Sequence, residues 1–206
     1  MTEEPRPSQQ RWDRIYATVD DATIPEPSAF VQQWSRLVPT GATGVDVAGG
    51  SGKHALWLAS LGVRMTVLDV SAVGLAQASR WAERLNVEVA TVVWDLEAGA
   101  GASFPDGSWD VIVKTYFLNR KLLVELAKRL NPGGVIMFAQ PTATNLERHE
   151  RPSRRFLLEV DEIRQLADAM VLAGKDLQIE HISQAWEANN THEAQLVLRR
   201  APESRR

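Results

Sequence analysis

Two hydrophobic periods alternate along this chain. Between residues 43 and 140, runs of apolar and β-branched residues stand at Gly44–Ala48, Val63–Asp69, Glu88–Trp94, Trp109–Tyr116 and Val135–Gln140. Between them, apolar residues return every three or four positions. The first pattern predicts strands and the second amphipathic helices. One helix is expected from Gly52 to Leu61, ended by Gly62. A second follows Ser71, with Leu75, Ala78, Ala82 and Leu85 on one face. A third runs from Lys121 to Leu130 and stops at Asn131-Pro132-Gly133-Gly134. The Val135–Gln140 run is unbroken, as in a strand covered on both faces.

Beyond residue 140 the pattern changes. Residues 141–156 form a polar loop with Arg148, Arg151, Arg154 and Arg155. A helical stripe follows over Asp161–Ala173, then strand candidates at Leu177–Trp186 and Glu193–Arg200. The link Ala188-Asn189-Asn190-Thr191 is too short for a crossover, so those two strands must pair antiparallel. The sum is an α/β fold, doubly wound and Rossmann-like, with a seven-stranded, mostly parallel sheet and a C-terminal antiparallel hairpin. Upstream, Trp12, Ile15, Tyr16 and Val19 share one helical face, and Ser28 heads a second short helix to Val38. These pieces are too short to hold a core alone. Residues 11–40 are therefore expected to form a helical lid, with 1–10 disordered, 41–200 the main domain and 201–206 a tail. Ala98–Phe104 is expected to be a flexible loop.

Composition narrows the function classes. With 206 residues, 44% hydrophobic and 24% charged, the chain suits one ordinary soluble domain. The absence of cysteine excludes disulfides, thiolate metal sites and cysteine nucleophiles. A formal net charge of −3 argues against a general nucleic-acid binder. No apolar run approaches the roughly 20 residues of a membrane span, and the polar start resembles no leader. A cytoplasmic location is expected.

The candidate chemistry is concentrated in residues 44–55, GVDVAGGSGKHA. Strand, glycine turn and helix start make a nucleotide-type site, where exposed N–H groups face the ligand. A P-loop fails, because Val47 stands where its first glycine belongs and His54 where Ser or Thr would hold magnesium. The dinucleotide fingerprint does match, through Gly50, Gly52 and Ala55, with Asp69 at a suitable distance. The rest of the chain supplies no second mononucleotide half for it.

A third alternative fits better. Asp46-Val47-Ala48-Gly49-Gly50-Ser51-Gly52 resembles motif I of the class I S-adenosylmethionine-dependent methyltransferases, D-x-[AG]-x-G-x-G. Ser108–Val113 and Leu130–Gly134 resemble that family's fourth strand and the turn before its fifth. A closer resemblance is to the tellurite-resistance and thiopurine-type small-molecule methyltransferases, through Trp12-Asp13-Arg14-Ile15-Tyr16, Tyr116–Arg120 and Asn145–Leu158. This chain departs from the motif in having Gly49 for the usual cysteine and Ala48 for the first glycine. The resemblance implies S-adenosylmethionine as cofactor and S-adenosylhomocysteine as product. It puts Asp46, Val47, Ala48, Gly49, Gly50 and Gly52 at the methionine end. Asp69 and Val70 would hold the ribose, and Asp95 and Leu96 the adenine. Trp12 and Tyr16 would cover the cofactor.

On the acceptor side the residues say less. Lys114 breaks an apolar strand at its C-terminal end, where open α/β sheets bind ligands, and it is a candidate to face cofactor or substrate. Tyr116 and Arg120 follow at the rim, and Arg151 is a candidate for an anionic acceptor. No metal cluster is legible. The expected activity is methyl transfer to a small molecule by a monomer or homodimer. The alternatives are an RNA or protein methyltransferase, or a cofactor-binding subunit without catalysis; an NAD-dependent reductase is more remote.

Overall fold

The structure is a computed structural model and describes residues 7–97 and 106–203; the loop expected at Ala98–Phe104 lies outside them. Strands β1 (Thr43–Val47), β2 (Arg64–Asp69), β3 (Val89–Val93), β4 (Trp109–Thr115), β5 (Leu130–Pro141), β6 (Leu177–Trp186) and β7 (His192–Arg200) form one sheet. Its order is β3-β2-β1-β4-β5-β7-β6. The β1–β2, β2–β3 and β4–β5 pairs are parallel, and β7 is antiparallel to β5 and β6. Six α-helices are described: α1 (Pro7–Tyr16), α2 (Ala29–Trp34), α3 (Lys53–Ser60), α4 (Ala72–Leu85), α5 (Arg120–Lys128) and α6 (Glu162–Ala173). The chain divides into two compact units, Met1–Gln32 with Thr40–Asp106 and Gln33–Pro39 with Gly107–Arg206.

In the first unit, α4 shows how sequence becomes position. The Ser71 hydroxyl caps it, accepting from Gly74 N–H at 3.1 Å. Leu75, Ala78, Trp81 and Ala82 are buried, while Leu85, in the last turn of the expected apolar face, is 44% exposed. Leu56, Trp81 and Ala82 form a core cluster with Ile24, Val87 and Val89 against it. The N-terminal segment is fastened to this helix by polar contacts. Asp13 Oδ1 accepts from the Ser71 hydroxyl at 2.6 Å and from Val73 N–H at 3.3 Å. Asp21 accepts from Gln77 Nε2 at 2.9 Å and Arg80 Nε at 2.8 Å, and its carbonyl accepts from Trp81 Nε1 at 3.1 Å.

The N-terminal helix starts earlier than its apolar residues suggest. Residues 7–10, expected in the disordered tail, are helical from Pro7, a residue preorganised for the first helical position. The helix then ends at Tyr16, and the Thr18 hydroxyl donates to Ile15 O at 2.8 Å just beyond it. None of its residues is buried, so the Trp12–Ile15 face is only partly covered, each residue being 40% exposed. In the second short helix, Ser28 Oγ accepts from Val31 N–H at 3.3 Å.

In the second unit, Val135–Ala139 of β5 is fully enclosed. The stop at Asn131–Gly134 lies inside β5. Register passes from Trp109↔Leu130 to Val111↔Val135, so the extra residues are a bulge, with Gly133 at φ 80°. The 141–156 loop contains two short 3₁₀ turns, Ala143–Glu147 and Arg154–Phe156. Asn145 ties it to the hairpin: its Nδ2 donates to His192 O at 2.6 Å and its Oδ1 accepts from His192 N–H at 3.0 Å. Trp34 packs at 5.1 Å from the His181 ring.

Candidate active site

The glycine turn is as tightly built as its sequence implies. The chain leaves β1 through Ala48 at φ 57°, crosses Gly50 at φ 58° and enters α3 from Gly52 at φ 74°. Gly49 N–H donates to Leu68 O at 3.1 Å, and Gly52 N–H to Gly49 O at 2.8 Å. Gly52, at the N-cap of α3, has no side chain to cap it, and the Ala55 N–H of the first turn draws on the Asp46 carboxylate. A Cβ on Gly50 would stand 1.8 Å from Tyr16 Oη, and one on Gly49 would stand 2.7 Å from Asp46 Cγ. Glycine at these two positions is therefore a matter of space.

Three acids were expected around this turn. Asp69, at the end of β2, accepts from Gly50 N–H at 2.8 Å through Oδ2 and from Ser71 N–H at 2.8 Å through Oδ1. The Val70 N–H also acts on this carboxylate, which keeps acceptor capacity beyond these bonds for a ligand hydroxyl. Burial pushes this carboxyl above its ordinary range, against the pull of those N–H bonds. Asp46 is buried, and among the described residues its oxygens meet no hydrogen-bond donor in good geometry, the Ala55 N–H being the one backbone donor that draws on the carboxylate. Burial, reinforced by Asp69, raises it to about 7. Asp95 is half-buried and turns back on its own loop, with Oδ1 accepting from Glu97 N–H at 2.8 Å. Val47 is buried within β1, while Val70 and Leu96 are half-buried, each directly after its acid.

Tyr16 lies across the same turn. A Cβ on Gly74 would meet its ring at 2.8 Å, as one on Gly50 would meet its hydroxyl. Burial and then the charges of Asp69 and Asp46 raise its phenol well above the ordinary value. Trp12 stacks on Tyr16 with ring centroids 6.0 Å apart. His54, in the first turn of α3, is 2% exposed, with Nδ1 3.9 Å from Asp46 Oδ2. Burial holds it down to about 3, so it is neutral near neutral pH. Its position on the inner side of α3 is set by the helix's rotation, which the neighbouring apolar residues do not reveal.

In the second unit, Lys114 is fully enclosed near the end of β4. Its Nζ donates to Phe117 O and lies 5.0 Å and 5.2 Å from the centres of the Phe117 and Phe138 rings. Burial lowers the amine to about 7. Tyr116 follows at φ 58°, an unusual conformation for an aromatic residue, with its N–H held by Ala139 O at 3.0 Å. Its hydroxyl donates to Glu193, a buried acid of β7 that the apolar pattern of that strand passes over. Arg120 is engaged elsewhere: its guanidinium grips Glu162 of α6 at two points. Arg151 lines a surface cavity of about 580 Å³ together with Arg148, His149 and Asn190.

Known proteins resemble the chain around this turn. A family model described as a methyltransferase domain matches residues 45–134, which spans β1 to the bulge in β5. Over residues 45–134 the chain is similar to that methyltransferase domain. Among curated proteins nothing matches the chain. Solved methyltransferase structures share the fold. TehB from Haemophilus influenzae is 18% identical with a TM-score of 0.67, over 93% of this chain and 66% of that one. The chain therefore spans just under two thirds of TehB's length. Magnesium protoporphyrin IX methyltransferase from Synechocystis PCC 6803, solved with bound S-adenosylmethionine, is 15% identical with a TM-score of 0.59, over 94% and 80%. An S-adenosylmethionine-dependent methyltransferase from Clostridium acetobutylicum is 13% identical with a TM-score of 0.61, over 93% and 97%.

The matched stretch of the methyltransferase domain contains Asp46, the glycine turn, Asp69, Asp95, Lys114, Tyr116 and Arg120. Trp12, Tyr16, Arg151 and Glu193 lie outside it. Among the described residues no helix is long and apolar enough to cross a membrane.

Proposed function

We propose that this chain binds S-adenosylmethionine and transfers its methyl group to a small-molecule acceptor. The observation that carries this reading is the junction of Asp69 with Gly50. A buried acid at the end of β2 is fixed by the N–H of a glycine whose missing side chain makes room for the Tyr16 hydroxyl. Its remaining lone pairs suit a ribose diol, a strong bidentate contact. The fit extends to Asp46, whose two buried oxygens await a donor such as an ammonium group. In this proposal Asp46 and Val47–Gly50, with Gly52, hold the methionine end. Asp69 and Val70 hold the ribose, Asp95 and Leu96 the adenine, and Trp12 and Tyr16 form the cover. Lys114 and Tyr116 belong to the acceptor side, and Arg151 borders it.

When bound, the cofactor supplies an electrophilic methyl group on a sulfonium whose departure leaves a neutral thioether. The protein's contribution is alignment: holding acceptor and methyl in line is enough for a large part of the rate. The net charge of −3 supports a small acceptor over RNA. The reading places the enzyme in the cytoplasm, as a monomer or homodimer. Transfer of labelled methyl from S-adenosylmethionine to a panel of phenols, amines, thiols and oxyanions tests it. The expected outcome is turnover of at least one class. Binding of the cofactor without transfer to any small molecule, but with transfer to RNA or protein, would refute the small-acceptor reading.

A further inference from the structure

Tyr116 and Glu193 form a pair that the apolar periodicity does not reveal and the matched family stretch only half contains. Glu193 is 4% exposed, while the Tyr116 ring that reaches it is 42% exposed. The phenol donates its hydrogen to Glu193 Oε1. An Asn189 side-chain hydrogen bond reaches the same phenol oxygen, and Glu187 is the other charge that acts on it. The cross-strand neighbours of Glu193, Pro141 in β5 and Ala185 in β6, carry no charge. The left-handed backbone at Tyr116 is a costly conformation for this residue, and such conformations concentrate at functional sites.

Direction is what this arrangement adds. With its own hydrogen turned to Glu193 and one lone pair taken by Asn189, Tyr116 offers a ligand only its remaining lone pair. It can receive a hydrogen bond from a ligand, and it repels an anion. The pair stands one residue past the carboxyl end of β4, the end at which ligands bind in such sheets.

We propose that Tyr116 and Glu193 are an acceptor-side proton relay, and that the acceptor is therefore a protic nucleophile: a hydroxyl, amine or thiol. This rests on the methyltransferase reading above. As the acceptor atom bonds to the methyl carbon, the methyl–sulfur bond breaks and its electron pair stays on sulfur. The acceptor's proton goes to Tyr116 Oη, and the proton of Tyr116 passes to Glu193 Oε1. Atoms and charge balance, with a neutral thioether and a protonated Glu193 left behind.

Two measurements test it. The chain has two tyrosines, so ultraviolet titration of Tyr16→Phe follows the phenol of Tyr116 alone. It should ionise clearly above the ordinary value of about 10 and return toward it when Glu193→Gln is added. Ordinary ionisation with Glu193 intact would show that the pair is not formed and would overturn the relay. The second measurement is labelled methyl transfer to phenol, aniline and an alkyl thiol, with iodide as a proton-free nucleophile. Tyr116→Phe and Glu193→Gln should lower kcat on the protic acceptor by about 10²–10⁴-fold. Neither should lower transfer to iodide, and both should leave S-adenosylhomocysteine affinity intact. Equal losses on iodide, unchanged kcat on the protic acceptor, or transfer to no protic acceptor by a cofactor-binding protein would each overturn the proposal. A protein that fails to bind S-adenosylhomocysteine would instead refute the methyltransferase reading, with the titration still deciding whether the pair exists.

Discussion

Replacing Lys114 by methionine isolates a single buried amine. The side chain is fully enclosed, its Nζ donating to Phe117 O between two aromatic rings, and burial alone lowers it to about 7 from an ordinary 10.5. That displacement corresponds to roughly 5 kcal/mol between the low-pH and high-pH limits. The sign follows from proton counting. Between about 7 and 10.5 the unfolded lysine holds a proton that the folded one has lost, so wild-type stability gains from this group as pH rises. At pH 8 the folded protein still carries a cost of about 3 kcal/mol for neutralising the amine. Methionine has similar length and no such cost, but it forfeits the bond to Phe117 O, worth about 1 kcal/mol. Lys114→Met should therefore be about 2 kcal/mol more stable than wild type at pH 8. Its advantage should shrink by about 1.4 kcal/mol per pH unit between pH 7.5 and 9.5. Urea unfolding followed by tryptophan fluorescence across that range measures the difference, and other groups titrate alike in both proteins and cancel. A difference independent of pH would refute the reasoning, as would a methionine variant that is less stable throughout.

Two further substitutions test the turn. Ala48 holds φ 57°, where a side chain is strained, so Ala48→Gly should stabilise by about 1 kcal/mol and raise Tm by about 2–4 °C. A lower Tm in a thermal scan would contradict that backbone. Asp46, raised to about 7 by burial, holds a proton in the folded state that its unfolded form loses near pH 4. Stability should therefore fall as pH rises from about 4 to 7, and Asp46→Asn should be about 3–4 kcal/mol more stable than wild type at pH 8 without cofactor. Denaturant midpoints at pH 5 and 8 check this, and an asparagine variant weaker at both would exclude the unpartnered carboxylate.

The fold was legible where one pattern dominated. The Val135–Ala139 run, the capped α4 and the Ala188–Thr191 link each permit one local structure, and these elements fall where periodicity places them. Boundaries were less legible wherever backbone geometry outweighed side-chain pattern. Pro7 starts α1 ahead of its apolar residues, and α5 ends at Lys128, before Asn131–Gly134, which lies within β5 as a bulge. In the site, Asp69 and Gly50 were legible as separate signals, while the N–H bond joining them belongs to the fold. Lys114 was conspicuous as a charge in an apolar strand. The commitment of Arg120 to Glu162, 42 residues away, and of Tyr116 to Glu193, 77 residues away, was not. No local spacing encodes pairs of that kind, because strand order brings them together. The inner-face position of His54 was hidden for a related reason: one turn of α3 sets it.

The central claim is that the cradle formed by Gly50, Asp46 and Asp69 holds a sulfonium cofactor. Isothermal titration of the wild-type protein with S-adenosylmethionine, S-adenosylhomocysteine and NADH tests it most directly. The expected result is micromolar binding of the first two and none of NADH, with Asp69→Ala weakening both by about 1–3 kcal/mol. Absence of binding by either thioether ligand, or binding of NADH in their place, would contradict it.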